Sequence, residues 1–140
     1  MGEGTGSKHL DFPVEEVTYE DVLKRFKHLY IQEGLPIKAT TNVRWFASEV
    51  AVGALIKMSA KKGRIKGTAT LPEWRGMGYG EAILWRLIEE AKLERYKTIE
   101  VFAKYPAWFQ KQGFNVLRIT AWGTVVLEGD VYLLTKDKGV

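Results

Sequence analysis

The sequence predicts a mixed α/β domain in which helices flank a central sheet, and three observations carry that expectation. First, 140 residues with 46% hydrophobic side chains suffice for one domain with an ordinary core. Second, short β-rich runs alternate with stretches whose apolar residues recur at helical spacing. Third, glycine and proline punctuate the boundaries, while no repeat, linker or low-complexity tract divides the chain after residue 8. Residues 10–140 are therefore expected to form a single domain behind a flexible Gly/Ser-rich tail at residues 1–9.

Leu10 to Val17 reads as a first strand. Thr18-Tyr19-Glu20-Asp21 places a hydroxyl three residues before a carboxylate, the pattern of a capping box, and Val22, Leu23, Phe26, Leu29 and Tyr30 then share one helical face. Gly34-Leu35-Pro36 stops that helix. Val43 to Ala47 and Val50 to Ala60 are β-rich runs divided by Ser48-Glu49, and Lys61-Lys62-Gly63 connects tightly into Arg64 to Leu71, so three antiparallel strands in succession are expected. In the third, Ile65, Gly67, Ala69 and Leu71 alternate with Arg64, Lys66, Thr68 and Thr70, giving a small apolar face and a polar face that is either solvated or lines a cleft.

Glu81 to Arg95 is the strongest helix, with Ala82, Ile83, Leu87, Ile88 and Ala91 as its apolar stripe. Thr98 to Ala103 is a strand, and Pro106 to Gln112 is a short helix closed by Gly113. Phe114 to Thr120 is extended and Asp130 to Thr135 is the last strand, while Ala121 to Gly129 fits a loop or a further hairpin.

Composition removes whole classes of chemistry. Without cysteine there is no thiolate nucleophile, Cys-based zinc site or redox pair. The two histidines, His9 and His28, lie 19 residues apart, a spacing that suits neither a metal site nor a Ser/His/Asp triad, and no metal is expected. No apolar run approaches the ~20 residues that span a bilayer, so no membrane partner is expected. The opening residues lack the pattern of a signal peptide, which makes a cytoplasmic location the expectation. Twenty-one Lys and Arg against seventeen Asp and Glu give +4, a mild preference for anionic ligands.

The informative segment is Leu71-Pro72-Glu73-Trp74-Arg75-Gly76-Met77-Gly78-Tyr79-Gly80, between a strand and a helix. Glycines at 76, 78 and 80 let the chain turn sharply and present N–H groups with no side chain in the way, and the helix start adds positive potential. A phosphate or pyrophosphate is the expected occupant. The dinucleotide fingerprint G-x-G-x-x-G fails here, because its third glycine position falls on Glu81 or Ile83, and no Gly-Lys-Ser/Thr marks a Walker loop.

The spacing that matches is Arg-x-x-Gly-x-Gly, Arg75 to Gly80, and it resembles the acyl-CoA pyrophosphate loop of the GNAT superfamily of N-acyltransferases. A second stretch, Ala107-Trp108-Phe109-Gln110-Lys111-Gln112-Gly113-Phe114, resembles that family's aromatic-x-Lys-x-Gly-Phe segment, and the order of elements over about residues 10 to 136 is similar to the family's. The resemblance implies a GNAT fold, a mostly antiparallel twisted sheet splayed between strands 4 and 5, with acyl-CoA lying in the V. It implies further that backbone groups of Thr70 and Leu71 pair with the pantetheine amides. Amides of Arg75, Gly76, Met77, Gly78, Tyr79 and Gly80 would hold the pyrophosphate. For Arg75 itself, loop support and phosphate contact are both open.

The implied activity is N-acetyl transfer from acetyl-CoA to a primary amine by direct attack in a ternary complex, since no cysteine can carry an acyl group. The family often has a Tyr two before the Lys of its signature as general acid, and here that place is Phe109. Tyr105 is the substitute acid, unless the thiolate leaves unaided. Glu49, Glu73 and Glu100 are the carboxylates near the proposed cleft, with Glu49 the candidate base and a water relay the alternative. Glu73 is expected to brace the turn and Glu100 to alternate outward.

Two other readings stand beside this one. A catalytically silent CoA-binding or interaction domain would account for Phe109. Five Trp together with Lys57, Lys61, Lys62, Arg64 and Lys66 would suit a nucleic-acid-associated protein that binds or modifies a nucleobase, although no RRM, KH or helix-turn-helix signature accompanies them. The amine acceptor and the oligomeric state, monomer or dimer, are not specified by these residues.

Overall fold

A computed structural model describes residues 12–37 and 42–134. Among these described residues, seven strands and three α-helices follow in the order β1 (Glu15–Val17), α1 (Tyr19–Glu33), β2 (Val43–Ala47), β3 (Ala51–Ser59), β4 (Lys62–Thr70), α2 (Tyr79–Leu93), β5 (Thr98–Ala103), α3 (Pro106–Lys111), β6 (Asn115–Ile119) and β7 (Val125–Asp130). The strands hydrogen-bond in the order β1-β2-β3-β4-β5-β7-β6, a mostly antiparallel sheet with one parallel pair, β4 and β5. By contacts the chain divides into two compact units. One takes the described residues up to Ala54 with Gly67–Leu87, and the other takes Leu55–Lys66 with residues from Ile88 onward. The tail expected at residues 1–9, Leu10 and Asp11 of the first strand and Thr135 of the last lie outside the described residues.

In the first unit, α1 begins and ends where its sequence says. Thr18 Oγ1 accepts the Asp21 N–H at 3.0 Å, and Gly34, at φ 67°, closes the helix with its N–H on the Ile31 carbonyl. The predicted stripe is buried at Val22, Phe26, Leu29 and Tyr30, packed with Trp45, Ala47, Val52 and Ala54. Each such large apolar side chain stabilises the unit by about 1.5–3 kcal/mol. α2 starts two residues before its predicted Glu81, and Leu84 and Trp85 are buried along with the expected stripe. It approaches β3 closely because Gly53 has no side chain; a Cβ there would stand 2.7 Å from Ile83 Cγ2.

The alternation expected along β4 breaks at Gly67. This residue adopts φ 64°, and residues 66–70 are all half-buried instead of dividing into buried and exposed faces. A Cβ on Gly67 would face Tyr30, whereas the neighbouring Thr68 faces Gly53.

In the second unit, β4 pairs with β5 in parallel from Lys62↔Thr98 to Ile65↔Val101, and this ladder ends there while β4 runs on to Thr70. Strands 4 and 5 of the implied order are thus hydrogen-bonded as a parallel pair over these four positions. β5 and β7 pair antiparallel from Thr98↔Asp130 to Ala103↔Val125. The undecided stretch 121–129 is a hairpin: Gly123, at φ 87°, turns β6 into β7, and the Thr120 hydroxyl accepts the Thr124 N–H at 3.1 Å. The last strand is accordingly Val125–Asp130 and not Asp130 to Thr135. Asp130 ends it, its carboxylate accepting the Tyr132 N–H and its carbonyl the Leu133 and Leu134 N–H groups, which curls the chain out of extended geometry.

Candidate functional site

The site grows from the connection between β4 and α2 in the first unit. Leu71 donates its N–H to the Val50 carbonyl at 2.9 Å, which continues the strand's direction by one residue. Pro72, with φ fixed and no N–H, then starts a single 3-10 turn, Pro72–Trp74. The Trp74 N–H closes on the Leu71 carbonyl at 2.9 Å and the Arg75 N–H on the Pro72 carbonyl at 3.4 Å. Gly76 (φ 77°) and Gly78 (φ 95°) place two left-handed residues around Met77, a path that side chains rarely allow. The Ala82 N–H then donates to the Gly78 carbonyl at 3.0 Å and opens the ladder of α2. The N–H groups of Tyr79 and Gly80 precede that ladder and point out from the positive end of a 15-residue helix.

Arg75 does not reach outward from this turn. Its Nε donates to the Thr70 carbonyl at 3.0 Å, and one guanidinium nitrogen lies 2.7 Å from the Glu33 carboxylate at the end of α1. Of the two roles open for Arg75, the geometry supports the brace: its side chain ties the turn to both the strand before it and the helix beside it. Tyr79 is held similarly, its ring stacked on Phe12 at 3.9 Å and edge-on to Trp74 at 5.9 Å, while Met77 is exposed at the tip. Glu33 and Phe12 carry no local signal, because each meets the turn from a distant part of the chain.

Among the carboxylates, Glu49 is exposed in the turn from β2 to β3. It stands beside buried Ser48, whose hydroxyl accepts the Ala51 N–H at 3.1 Å and so shapes that turn. Glu73 is exposed on the 3-10 turn.

Glu100, in the second unit, is not the outward-facing residue its alternation suggested. It is 2% exposed, with Lys62 Nζ at 2.9 Å and Arg64 at 2.5 Å on its two oxygens, and Lys62 also lies 3.6 Å from Glu128. Burial pushes its carboxyl up, but the hydrogen bonds and charges of Lys62 and Arg64 outweigh that and hold it below the ordinary value. A carboxylate so held is a weak base.

Tyr105 also belongs to the second unit. It precedes α3 with its ring exposed and the Lys104 ammonium 5.7 Å above it, and its carbonyl accepts the Trp108 N–H. Phe109 is buried between Trp108 and Phe114, edge-to-face with both, so the place where the family often has a phenol is core here. Thr70, Leu71, Arg75–Gly80 and Glu49 thus fall in the first unit and Tyr105 in the second. Among the described residues no group of three or more His, Asp or Glu side chains could hold a metal ion, and no helix is long and apolar enough to cross a membrane.

The model of the acetyltransferase (GNAT) family matches residues 16–114, which include the whole glycine turn and α3. The chain belongs to the GNAT family. No curated protein sequence matches it.

Solved GNAT structures share its fold. A Klebsiella pneumoniae protein assigned as an acyl-CoA N-acyltransferase superposes with a TM-score of 0.72 at 18% identity, covering 87% of this chain and 99% of its own. A ribosomal-protein-alanine N-acetyltransferase from Escherichia coli gives 0.71 at 15%, covering 89% and 97%. The N-acetylglutamate synthase of Neisseria gonorrhoeae, solved with coenzyme A and N-acetyl-glutamate, gives 0.68 at 14%, with 85% of this chain matching 35% of that one.

Proposed function

We propose that this GNAT protein transfers an acetyl group from acetyl-CoA to a primary amine by direct attack within a ternary complex. The observation that carries the reading is the braced turn Arg75–Gly80, whose two left-handed glycines and helix-start amides form a backbone cradle suited to a pyrophosphate. In this reading the amides of Gly76 through Gly80 hold the diphosphate, the Arg75 N–H being closed on the Pro72 carbonyl. The carbonyls of Thr70 and Leu71, each with a second lone pair beyond the bond it already accepts, receive pantetheine N–H groups. The Leu71 N–H is committed to Val50, so donors to the pantetheine come from β4 upstream of it.

The acceptor must arrive neutral. Its nitrogen lone pair attacks the thioester carbon, the C–S bond breaks, the amine proton leaves to a base, and the thiolate departs with or without a proton. Glu49 is our candidate base and Tyr105 our candidate acid, the former because it is exposed on a shaped turn, the latter because Phe109 is core and carries no hydroxyl.

Calorimetry with acetyl-CoA tests the cradle. Micromolar binding that disappears in Gly78→Glu supports it, and absence of binding to any CoA ester refutes it. Thiol release with a panel of amines then tests catalysis, with Glu49→Gln and Tyr105→Phe each expected to lower kcat. Binding without turnover on any amine would favour the second reading, a silent CoA-binding domain, which the core position of Phe109 suits.

A further inference from the structure

Tyr30, in the last turn of α1, is a fully buried phenol whose hydroxyl donates to the Gly67 carbonyl at 2.5 Å. Its ring is fixed edge-on against Trp45. Burial pushes the hydroxyl's pKa far up, so it remains a donor at any working pH. The carbonyl it holds belongs to a residue in the left-handed region in the middle of a strand, at φ 64°. A trans peptide directs its C=O and N–H oppositely, so a Gly67 carbonyl turned towards α1 turns the Thr68 N–H away from it. This reversed peptide lies beyond Ile65, where the ladder between β4 and β5 has ended. The register between β4 and β5 does not extend to it, and Gly67 has no side chain to fix its orientation. The bond from Tyr30 fixes it.

We infer that Tyr30 is a positioning residue for the acyl-CoA arm: by holding the Gly67 carbonyl it sets the direction of the backbone groups of β4 that meet the pantetheine and thioester. The inference rests on the proposed function, because it assigns a task to the same strand. It separates the two parts of the cosubstrate. The diphosphate is held by the turn Arg75–Gly80, and the arm by a strand segment whose geometry is set from α1.

The test compares acetyl-CoA with 3′-phosphoadenosine 5′-diphosphate, which keeps the diphosphate and lacks the pantetheine arm, on wild type and Tyr30→Phe. Phenylalanine keeps the ring and its packing and removes only the donor. Acetyl-CoA affinity is expected to fall by about 3- to 10-fold, the worth of one neutral hydrogen bond, with the arm-less diphosphate unchanged. Hydrogen exchange at the Thr68 amide is expected to quicken by a similar factor while the α1 amides stay protected. If Tyr30→Phe does not fold, Gly67→Ala perturbs the same peptide from β4, since its Cβ would stand 3.1 Å from the Tyr30 oxygen, and the same selective loss is expected. Equal changes for both ligands, or no change for either, overturn the positioning role and leave the proposed function standing. A wild-type protein that binds neither ligand overturns both.

Discussion

Replacing Glu100 by Gln removes the charge at the centre of the second unit's polar network while keeping the side chain's shape. Both carboxylate oxygens are occupied, Oε1 by Lys62 at 2.9 Å and Oε2 by Arg64 at 2.5 Å, and the carboxylate itself is 2% exposed. A hydrogen bond to a charged group contributes about 1.5–3 kcal/mol net, and the amide retains only one acceptor. Lys62 and Arg64 are each about a third exposed, so water re-solvates them and the loss stays near the lower part of that range, about 2 kcal/mol. With an unfolding entropy of about 2.1 cal/mol/K per residue over 140 residues, that loss lowers Tm by about 7 °C.

The pH dependence has a definite sign. Because folding lowers the Glu100 pKa, its stabilisation is complete above the ordinary value of 4.5 and is lost as pH falls through the lower folded value. Thermal unfolding followed by circular dichroism between pH 7 and pH 3 should therefore show a gap between wild type and variant that is widest near neutrality and closes in acid. Turnover, measured where both proteins are folded, should be retained. A gap that persists unchanged at the acid end, or an absent gap at neutrality, refutes the account of the network. Loss of turnover with intact folding refutes the argument that Glu100 is too firmly held to serve as base.

Thr18→Ala removes the side-chain acceptor at the start of α1 and should cost about 1 kcal/mol in denaturant unfolding. Gly53→Ala sets a methyl 2.7 Å from Ile83 Cγ2 and 3.0 Å from Thr68 Cγ2, neither at the end of a flexible chain, and should destabilise the protein by about 1–3 kcal/mol on the same assay. Arg75→Gln and Glu33→Gln should weaken acetyl-CoA binding by similar factors in calorimetry. An affinity lost only with Arg75 would make that residue a phosphate ligand and not a brace.

What the sequence makes legible here is what local chemistry decides. The ends of α1 follow from Thr18 and Gly34 alone, and the glycine turn follows from the spacing of Gly76, Gly78 and Gly80. What depends on distant partners is less accessible. Period-2 alternation suggests an outward Glu100, yet the residue is covered because Lys62 and Arg64, some 36 residues earlier, close over it. Local signals leave 121–129 open between a loop and a hairpin and put the last strand at Asp130 to Thr135, because the extended form of Val125–Asp130 is decided by pairing with β5. Gly67 escaped for the opposite reason: glycine in an alternating strand reads as a weak position, whereas the hydroxyl that gives it a task comes from Tyr30. At the candidate site the same division holds, with the turn's glycines visible and its grips from Glu33 and Phe12 hidden.

The bracing of Arg75 bears on how such a turn recognises an anion. A guanidinium already shared between the Thr70 carbonyl and the Glu33 carboxylate has little charge to offer a ligand, and its worth lies in fixing where the following amides point. Recognition by amides needs no particular side chain at Met77, which is exposed at the tip, but it fails wherever bulk or a changed φ reorients the peptide. The turn's specificity is therefore written in residues that lack side chains and in one cation that is turned inward. In the proposed reading, the positive potential that would meet a diphosphate comes from the start of α2. In that reading a mild net charge of +4 suffices, because the attraction would act over the length of one helical turn instead of across a charged surface.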